Sequence, residues 1–375
     1  ADVGVPLARI SDATRDKLRA QLDPGLEPTN PLDAWGTGHD AVNTFQHCLE
    51  ALIADPDTAA ALMVSDIRNG HYHHRNLIEV ARGVGARASL PLAFATNYSL
   101  VDHRQLALEL TEAGVPVLDG TREALLAFRH LFDYRDFLAR PAPIAPRAPQ
   151  REIAQRWRER LGRPAPLDEI ESLALLADFG IPVARALRAD SRAAALEAAA
   201  QIGYPVVLKT AQPGIEHKSE VRGVVLDLAS PEALGAAYDD LARRLGPRVT
   251  VARRVPEGIE IALGAVRDPQ FGSYVMVAAG GVLVELLGDS AVALAPVDEA
   301  GAERMLDRLK LRRLLDGFRG QSPADVKALC GAIANLSLLA RDLGDRLEQL
   351  DVNPLIASAD GCVAVDALVV ARAAE

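Results

Sequence analysis

The residues with the most chemical potential fall in two stretches of the second half of the chain. In YPVVLKTAQPGIEHKSEVRGVVL (204–226), an apolar run that reads as a strand delivers Lys209 at its end. A loop marked by Pro213 and Gly214 then presents His217, Lys218 and Ser219. A lysine in this position can neutralise nucleotide phosphates, and a loop histidine can accept a phosphoryl group on nitrogen. A solvated lysine beside a surface histidine is the competing reading of such a pair. Against it, His217 is the last histidine of the chain, far beyond His130, and it lies in a polar, helix-breaking loop unsuited to core packing.

The second stretch is QLDVNPLIASADGCVAVDALVV (349–370), where Asp351, Asn353 and Asp366 fall on two predicted neighbouring strands joined by a turn at Asp360-Gly361. Mg²⁺ takes a few hard oxygen ligands from protein and the rest from phosphate and water, which this set can supply. An Asn-Pro turn with strand-end acids capping loops explains the same residues equally well. A third segment, Ala278 to Glu285, carries Gly280 and Gly281, which let a backbone approach phosphate closely, and Glu285, which can hold a metal. Read alone, it is better explained as a hairpin.

Other patterns carry less. Gly36-Thr37-Gly38-His39-Asp40-Ala41 fits a GxGxxA dinucleotide fingerprint, but no clear strand precedes it. No GxxxxGK[ST] loop is present, and His71-Tyr72-His73-His74 reads as a surface loop for want of nearby acidic or thiol partners.

Two kinds of scaffold must position these residues. Upstream, strands are expected at 60–64, 91–95 and 115–118. They alternate with helices at 75–84, 105–113 and 121–132, the last opened by Thr121 as cap. Short strands separated by helices imply a parallel, flavodoxin-like sheet, which binds ligands at the carboxyl ends of its strands. The opening strand of such a unit is missing, so the chain is expected to be a piece of something longer.

Downstream, helices are expected at 191–202, 299–309 and 323–343. Strands are expected at 204–209, 224–228, 249–253, 259–266, 273–277, 282–286, 349–352 and 363–369. Several follow one another with only turns between, as in antiparallel sheets. Between the halves, ARPAPIAPRAPQ (139–150) holds four prolines, followed by a short helical pattern at 152–161. The expected organisation is therefore a flavodoxin-like domain over 1–138, a proline-rich linker over 139–165 and an α+β domain over 166–375.

Composition narrows the partners. With 49% hydrophobic residues the 375-residue chain can pack cores, while only 4% aromatics and a net charge of −10 disfavour nucleic acid. The most apolar stretch, 274–287, is interrupted by Gly280-Gly281 and Glu285, so no membrane span is expected. Cys48, Cys330 and Cys362 are far apart, and the opening ADVGVPLARI has no signal-peptide pattern, which together suggest a reducing cytoplasmic setting.

Taken in order, the motifs become specific. They are Lys209, the HKS loop at 217–219, Val255-Pro256-Glu257-Gly258-Ile259-Glu260, Arg267 to Gly272, Gly280-Gly281 with Glu285, and Asp351-Val352-Asn353-Pro354. This order resembles the ATP-grasp domain of the ADP-forming acyl-CoA synthetases, relatives of succinyl-CoA synthetase, over about residues 166–375. The first 140 residues resemble, less specifically, the flavodoxin-like ligase domain of the fused members, through Asn30 to Asp33 and Gly114 to Val117.

The resemblance implies conversion of a small carboxylic acid, CoA and ATP to acyl-CoA, ADP and phosphate through an acyl phosphate and phosphohistidines. It implies that His217 exchanges phosphoryl with the nucleotide as a neutral imidazole. Lys209, Lys218, Ser219, Glu260, Gly280 and Gly281 would bind ATP/ADP. Asn353 and Asp366 would hold Mg²⁺, with Asp351 and Glu285 as further candidate ligands. CoA would be shared with an N-terminal CoA-binding domain, in cis or as a separate chain, and an oligomer is compatible with this arrangement.

The chain also departs from the family pattern. HKSD-x-GG is usual, whereas Glu220 and Arg222 replace the Asp and first Gly. Ala252 replaces a common glutamine, Arg254 stands where Met is frequent, and Gly288 and Ala293 leave out a basic residue. These departures motivate a non-catalytic nucleotide- or acyl-CoA-binding regulatory module as the alternative. A carboxylate–amine ligase of the ATP-grasp type is a further one.

Overall fold

Two units with separate cores divide the chain between Pro141 and Ala142. The computed structural model describes residues 3–68, 72–97, 103–142, 144, 151–215, 218, 220–281, 288–318, 320 and 322–372. The first unit contains α1 (Asp12–Arg19), α2 (Ala41–Ile53), β1 (Ala61–Val64), α3 (Tyr72–Gly85), β2 (Leu92–Thr96), α4 (Arg104–Glu112), β3 (Val117–Asp119) and α5 (Thr121–Leu138).

Its strands form a parallel sheet in the order β1-β2-β3. The central strand β2 is buried at every position, because helices can cover both faces of a parallel sheet. Leu77, Ile78, Ala81 and Val84 of α3 and Leu106 and Leu110 of α4 supply one shared core with Phe94. Two helices precede β1 that periodicity alone did not reveal. In α5, Thr121 is the first helical residue and not the cap, which is Gly120, and the helix runs on to Leu138.

The second unit holds two antiparallel sheets. The smaller has the order β4-β7-β5-β6, from β4 (Ala186–Ala189), β5 (Val206–Thr210), β6 (Val224–Leu228) and β7 (Val249–Arg253). Helices α8 (Arg192–Ile202) and α9 (Pro231–Leu245) pack on it through Ala195, Ala199, Leu234 and Leu241. Both helices begin at serine caps, Ser191 and Ser230, whose hydroxyls each accept an amide of the first turn.

The larger sheet runs β10-β9-β8-β11-β12 and uses β8 (Ile259–Asp268), β9 (Gly272–Ala279), β10 (Ser290–Leu294), β11 (Leu347–Ser358), β12 (Gly361–Ala364) and β13 (Leu368–Ala371), with β13 also paired to β11. Its core is filled by α7 (Glu169–Asp178), α10 (Glu299–Asp307) and above all α12 (Val326–Leu343). The remaining helices are α6 (Arg151–Leu161) and the short α11 (Arg312–Leu315). A parallel-sheet unit followed by an α+β unit is thus the architecture, as the element order implied.

Two corrections to the expected strands shape the site. The strand expected over 363–369 is in fact two, β12 and β13, separated at Val365 to Ala367. Opposite that break, β11 shifts register against β8 between Val352 and Leu355, so Asn353 and Pro354 form a bulge. Proline has no amide to give a central ladder, so the strand accommodates it as a bulge. The strand expected at 282–286 lies outside the described residues; the described partner of β9 after Gly281 is β10, at 290–294.

Candidate functional site

The bulge and the break between β12 and β13 adjoin, with the Val365 amide donating to the Pro354 carbonyl over 3.1 Å. The break presents Asp366, whose Oδ1 also accepts the Ala367 amide at 2.9 Å. The bulge turns Asn353 toward the end of β9, where its Oδ1 accepts the Gly281 amide at 3.2 Å. Asp351, two residues earlier on β11, has its carboxyl pushed above the usual range by burial and, secondarily, by the negative charge of Asp366.

Lys209 approaches from the small sheet. It is nine-tenths buried at the end of β5, and its Nζ donates to the Val365 carbonyl at 2.6 Å and to Glu169 Oε1 at 2.7 Å, with Asp366 Oδ2 at 3.4 Å. Lys218 reaches the same place from the loop between β5 and β6. Its Nζ donates to Glu169 Oε2 at 2.7 Å and to both oxygens of Asp366, at 3.1 and 3.2 Å. Burial works against the Lys218 charge, yet the carboxylates of Glu169 and Asp366 outweigh it and hold the ammonium above the ordinary lysine range.

The loop closes locally: the Gly223 amide donates to the Lys218 carbonyl at 2.7 Å, and the Thr210 amide donates to the Gly223 carbonyl at 2.7 Å. Arg222, next to Gly223 in this loop, has φ +50°.

Glu260 and the glycine pair form the opposite side. The Gly280 amide donates to the Glu260 carbonyl at 2.8 Å. A Cβ on Gly280 would come within 2.7–2.8 Å of backbone atoms of Glu260 and Ile261, so strand proximity alone demands glycine there. Gly281 has φ +60°, and a Cβ on it would overlap Glu260 Oε2.

The structure therefore brings together Lys209, Lys218 and Asp366 in direct contact, with Asp351 and Asn353 on the strand beside them and Glu260, Gly280 and Gly281 linked through Asn353. His217, Ser219 and Glu285 lie outside the described residues, as does His71.

Glu169 is the member that sequence reasoning missed. It is the first residue of α7, 7% exposed, and 40 residues from Lys209 in sequence. A signal existed: Asp168 and Glu171 form a capping box, which marks a helix start and places an acid in its first turn.

Among the described residues, no three His, Cys, Asp or Glu side chains gather as a metal cage. A cation that also binds phosphate does not need one: two carboxylates and an amide oxygen are a donor set suited to Mg²⁺ held mainly by phosphate and water. Asp351, Asn353 and Asp366 fit that description. No helix among the described residues is long and apolar enough to cross a membrane.

Comparison with known proteins identifies the fold that carries this geometry. Residues 162–371 match the family described as ATP-grasp domain. Acetate–CoA ligase (ADP-forming) II subunit beta of Pyrococcus furiosus is 34% identical over 214 residues, covering 54% of this chain and 91% of that protein. Acetate–CoA ligase (ADP-forming) I of Archaeoglobus fulgidus is 30% identical over 376 residues, which is 97% of this chain but 53% of that protein. The chain thus spans about half the length of the relatives that match nearly all of it.

Among solved structures, the dinucleotide-forming acetyl-coenzyme A synthetase 1 of Ca. Korarchaeum cryptofilum is 36% identical with a TM-score of 0.51, covering 59% of this chain and 99% of that one. It was solved with coenzyme A and Mg-AMPPCP, its phosphohistidine segment pointing towards the nucleotide binding site. Its homologues being ADP-forming acyl-CoA ligases and its matched domain covering more than half its length, this chain belongs to the ATP-grasp family, in the branch of the ADP-forming acyl-CoA synthetases.

Proposed function

We propose that this chain is the nucleotide-using portion of a ligase that converts a carboxylic acid, CoA and ATP to acyl-CoA, ADP and phosphate. The observation that carries the reading is the convergence of Lys209 and Lys218 on Asp366 within the residues matched by the ATP-grasp domain. Two ammonium groups drawn from different elements, beside hard oxygen donors, suit a polyphosphate chain. Phosphoryl transfer depends mainly on such positioning and charge neutralisation.

In this reading Lys209 and Lys218 exchange part of their carboxylate pairing for phosphate oxygens when nucleotide binds. Gly281, with its left-handed backbone, allows close approach of the nucleotide beside Glu260, while Gly280 lets the end of β9 pack against β8 behind it. Asp351, Asn353 and Asp366 would hold Mg²⁺, which when bound neutralises charge on the transferring group. Ser219 and Glu285 are assigned supporting contacts to phosphate and cation by their place in the same motifs. His217, adjoining Lys218, is the acceptor. Its neutral imidazole attacks the γ-phosphorus, the bond to the bridging oxygen breaks, and ADP leaves with the electron pair.

Coenzyme A and the acid are assigned to a CoA-binding portion, in the same polypeptide or as a separate chain. The Pyrococcus furiosus relatives support such a division, since each is named as the beta subunit of an ADP-forming acetate–CoA ligase. We assign the chain to the cytoplasm, a reducing setting that suits its free cysteines Cys48, Cys330 and Cys362.

The test is incubation of the chain with Mg²⁺ and γ-labelled ATP, with His217→Ala as control. Acid-labile label on the chain that is absent from His217→Ala supports the reading. Nucleotide binding with no label, in the presence of the CoA-binding partner, overturns the catalytic role in favour of a regulatory module.

A further inference from the structure

We propose that Glu169 is a positioning residue of this site: one buried carboxylate fixes both phosphate-facing lysines, holding Lys209 with one oxygen and Lys218 with the other. The inference rests on the nucleotide-using reading above and adds to it a residue outside its motifs.

Glu169 Oε1 lies 2.7 Å from Lys209 Nζ and Oε2 lies 2.7 Å from Lys218 Nζ, with side chains 7%, 8% and 15% exposed respectively. Each oxygen has its own lysine, so the carboxylate sets the separation and direction of the two ammonium groups. Lys209 comes from the rigid strand β5, but Lys218 comes from a loop, and lysine has a long, flexible stem. Among the described residues, Glu169 and Asp366 are the anions that hold the Lys218 charge beside that of Lys209. Asp366 contacts both as well, but it is 29% exposed and is itself a candidate cation ligand, so its pairing is the one that nucleotide and cation would change.

Glu169 is suited to stay in place when that happens. It sits in the first turn of α7, where the helix dipole favours a carboxylate. The helix needs nothing from its side chain, because Asp168 and Glu171 already form the capping box. A merely structural tie between α7 and β5 would not require ions, since buried ion pairs are commonly replaced by apolar contacts at no loss of stability. With both oxygens engaged by ammonium groups, Glu169 acts through the lysines and not as a ligand of the cation.

Full-length chain carrying Glu169→Gln or Glu169→Asp tests this with three readouts. The first is reactivity of Lys209 and Lys218 toward trace isotopic acetic anhydride, read by mass spectrometry. It should rise about tenfold at both in Glu169→Gln, the factor equivalent to losing a hydrogen bond to a charged group. The second is the split between nucleotide affinity and single-turnover transfer from γ-labelled ATP. Affinity should stay within about threefold while transfer falls about a hundredfold, as when charged groups are displaced by an ångström. The third is melting temperature, which should fall in Glu169→Gln as two buried ammonium groups lose a partner, without nucleotide affinity falling with it, and Glu169→Asp should recover part of the transfer rate.

Unchanged lysine reactivity would overturn the proposal. So would a parallel fall in melting temperature, nucleotide affinity and transfer, which is the signature of a structural tie. Should the unmodified chain transfer no phosphoryl group, the functional reading fails, and the lysine labelling still decides the role of Glu169.

Discussion

Lys218 Nζ spans both carboxylate oxygens of Asp366, at 3.1 and 3.2 Å, so the side chain best placed to receive a divalent cation is already paired with an ammonium group. A bare cation arriving at Asp366 meets two nearby positive charges, Lys209 and Lys218. Polyphosphate resolves the conflict, because it offers both lysines new partners. Cation binding should therefore be weak without nucleotide. Lys218→Met should raise Mn²⁺ affinity in the absence of nucleotide about tenfold, a modest fraction of the Coulomb energy between close charges near a protein surface. Electron paramagnetic resonance of free Mn²⁺ measures this directly, and unchanged affinity would refute the competition.

The glycine pair separates two kinds of constraint. In Gly280→Ala the new methyl meets backbone of β8, which cannot swing aside, so a loss of about 1–3 kcal/mol is expected, as for overpacking elsewhere. In Gly281→Ala the clash is with the mobile end of Glu260, though the left-handed φ of +60° adds strain. Nucleotide affinity should then suffer more than stability. Chemical denaturation alongside nucleotide titration distinguishes the two, and equal effects of both variants would contradict the assignment.

Arg222 occupies a left-handed conformation, φ +50°, that side chains other than glycine adopt at a cost. The Arg222 carbonyl accepts from Arg244 at 3.1 Å, a contact that glycine preserves. Arg222→Gly should stabilise the chain by up to about 1 kcal/mol, the strain relieved less the extra freedom of the unfolded glycine. A lower melting temperature in Arg222→Gly would show that the arginine side chain contributes more than its backbone costs.

In the first unit, Asp55 ties the start of α1 to the end of α2. Its carboxylate accepts from the Ser11 amide and hydroxyl, each at 2.8 Å, and from the Asp57 amide at 3.1 Å. Hydrogen bonding from Thr14, and then from the Ser11 and Asp57 amides, holds its carboxyl far below the ordinary range. The folded state therefore favours the ionised form. The stabilisation is fully present above the unfolded value of about 4 and is lost as pH falls through the lower folded value. Asp55→Asn should melt earlier at pH 7 and show a shallower loss of stability on acidification below about pH 4. Parallel acid limbs for the two proteins, followed by circular dichroism, would rule this out.

Much of the site is legible in the amino-acid sequence. Lys209, Lys218, Asp351, Asn353 and Asp366 stand out because strand-end lysines, polar loops and Asn-Pro steps interrupt apolar runs, and those interruptions are local. Alternation of strands and helices likewise separates a parallel-sheet half from an antiparallel half. The order of the motifs also determined the family, since each motif is carried by residues close together in the chain.

Tertiary structure alone decided how those motifs meet. The register shift at Asn353-Pro354 depends on pairing with β8, and the break at Val365 to Ala367 on pairing with β11, so Asp366 could not be placed from its own segment. Glu169 reads locally as one acid among several at a helix start. Its partners lie 40 and 49 residues away, and a carboxylate becomes the organiser of two lysines only when folding removes water from all three and leaves their charges to neutralise one another.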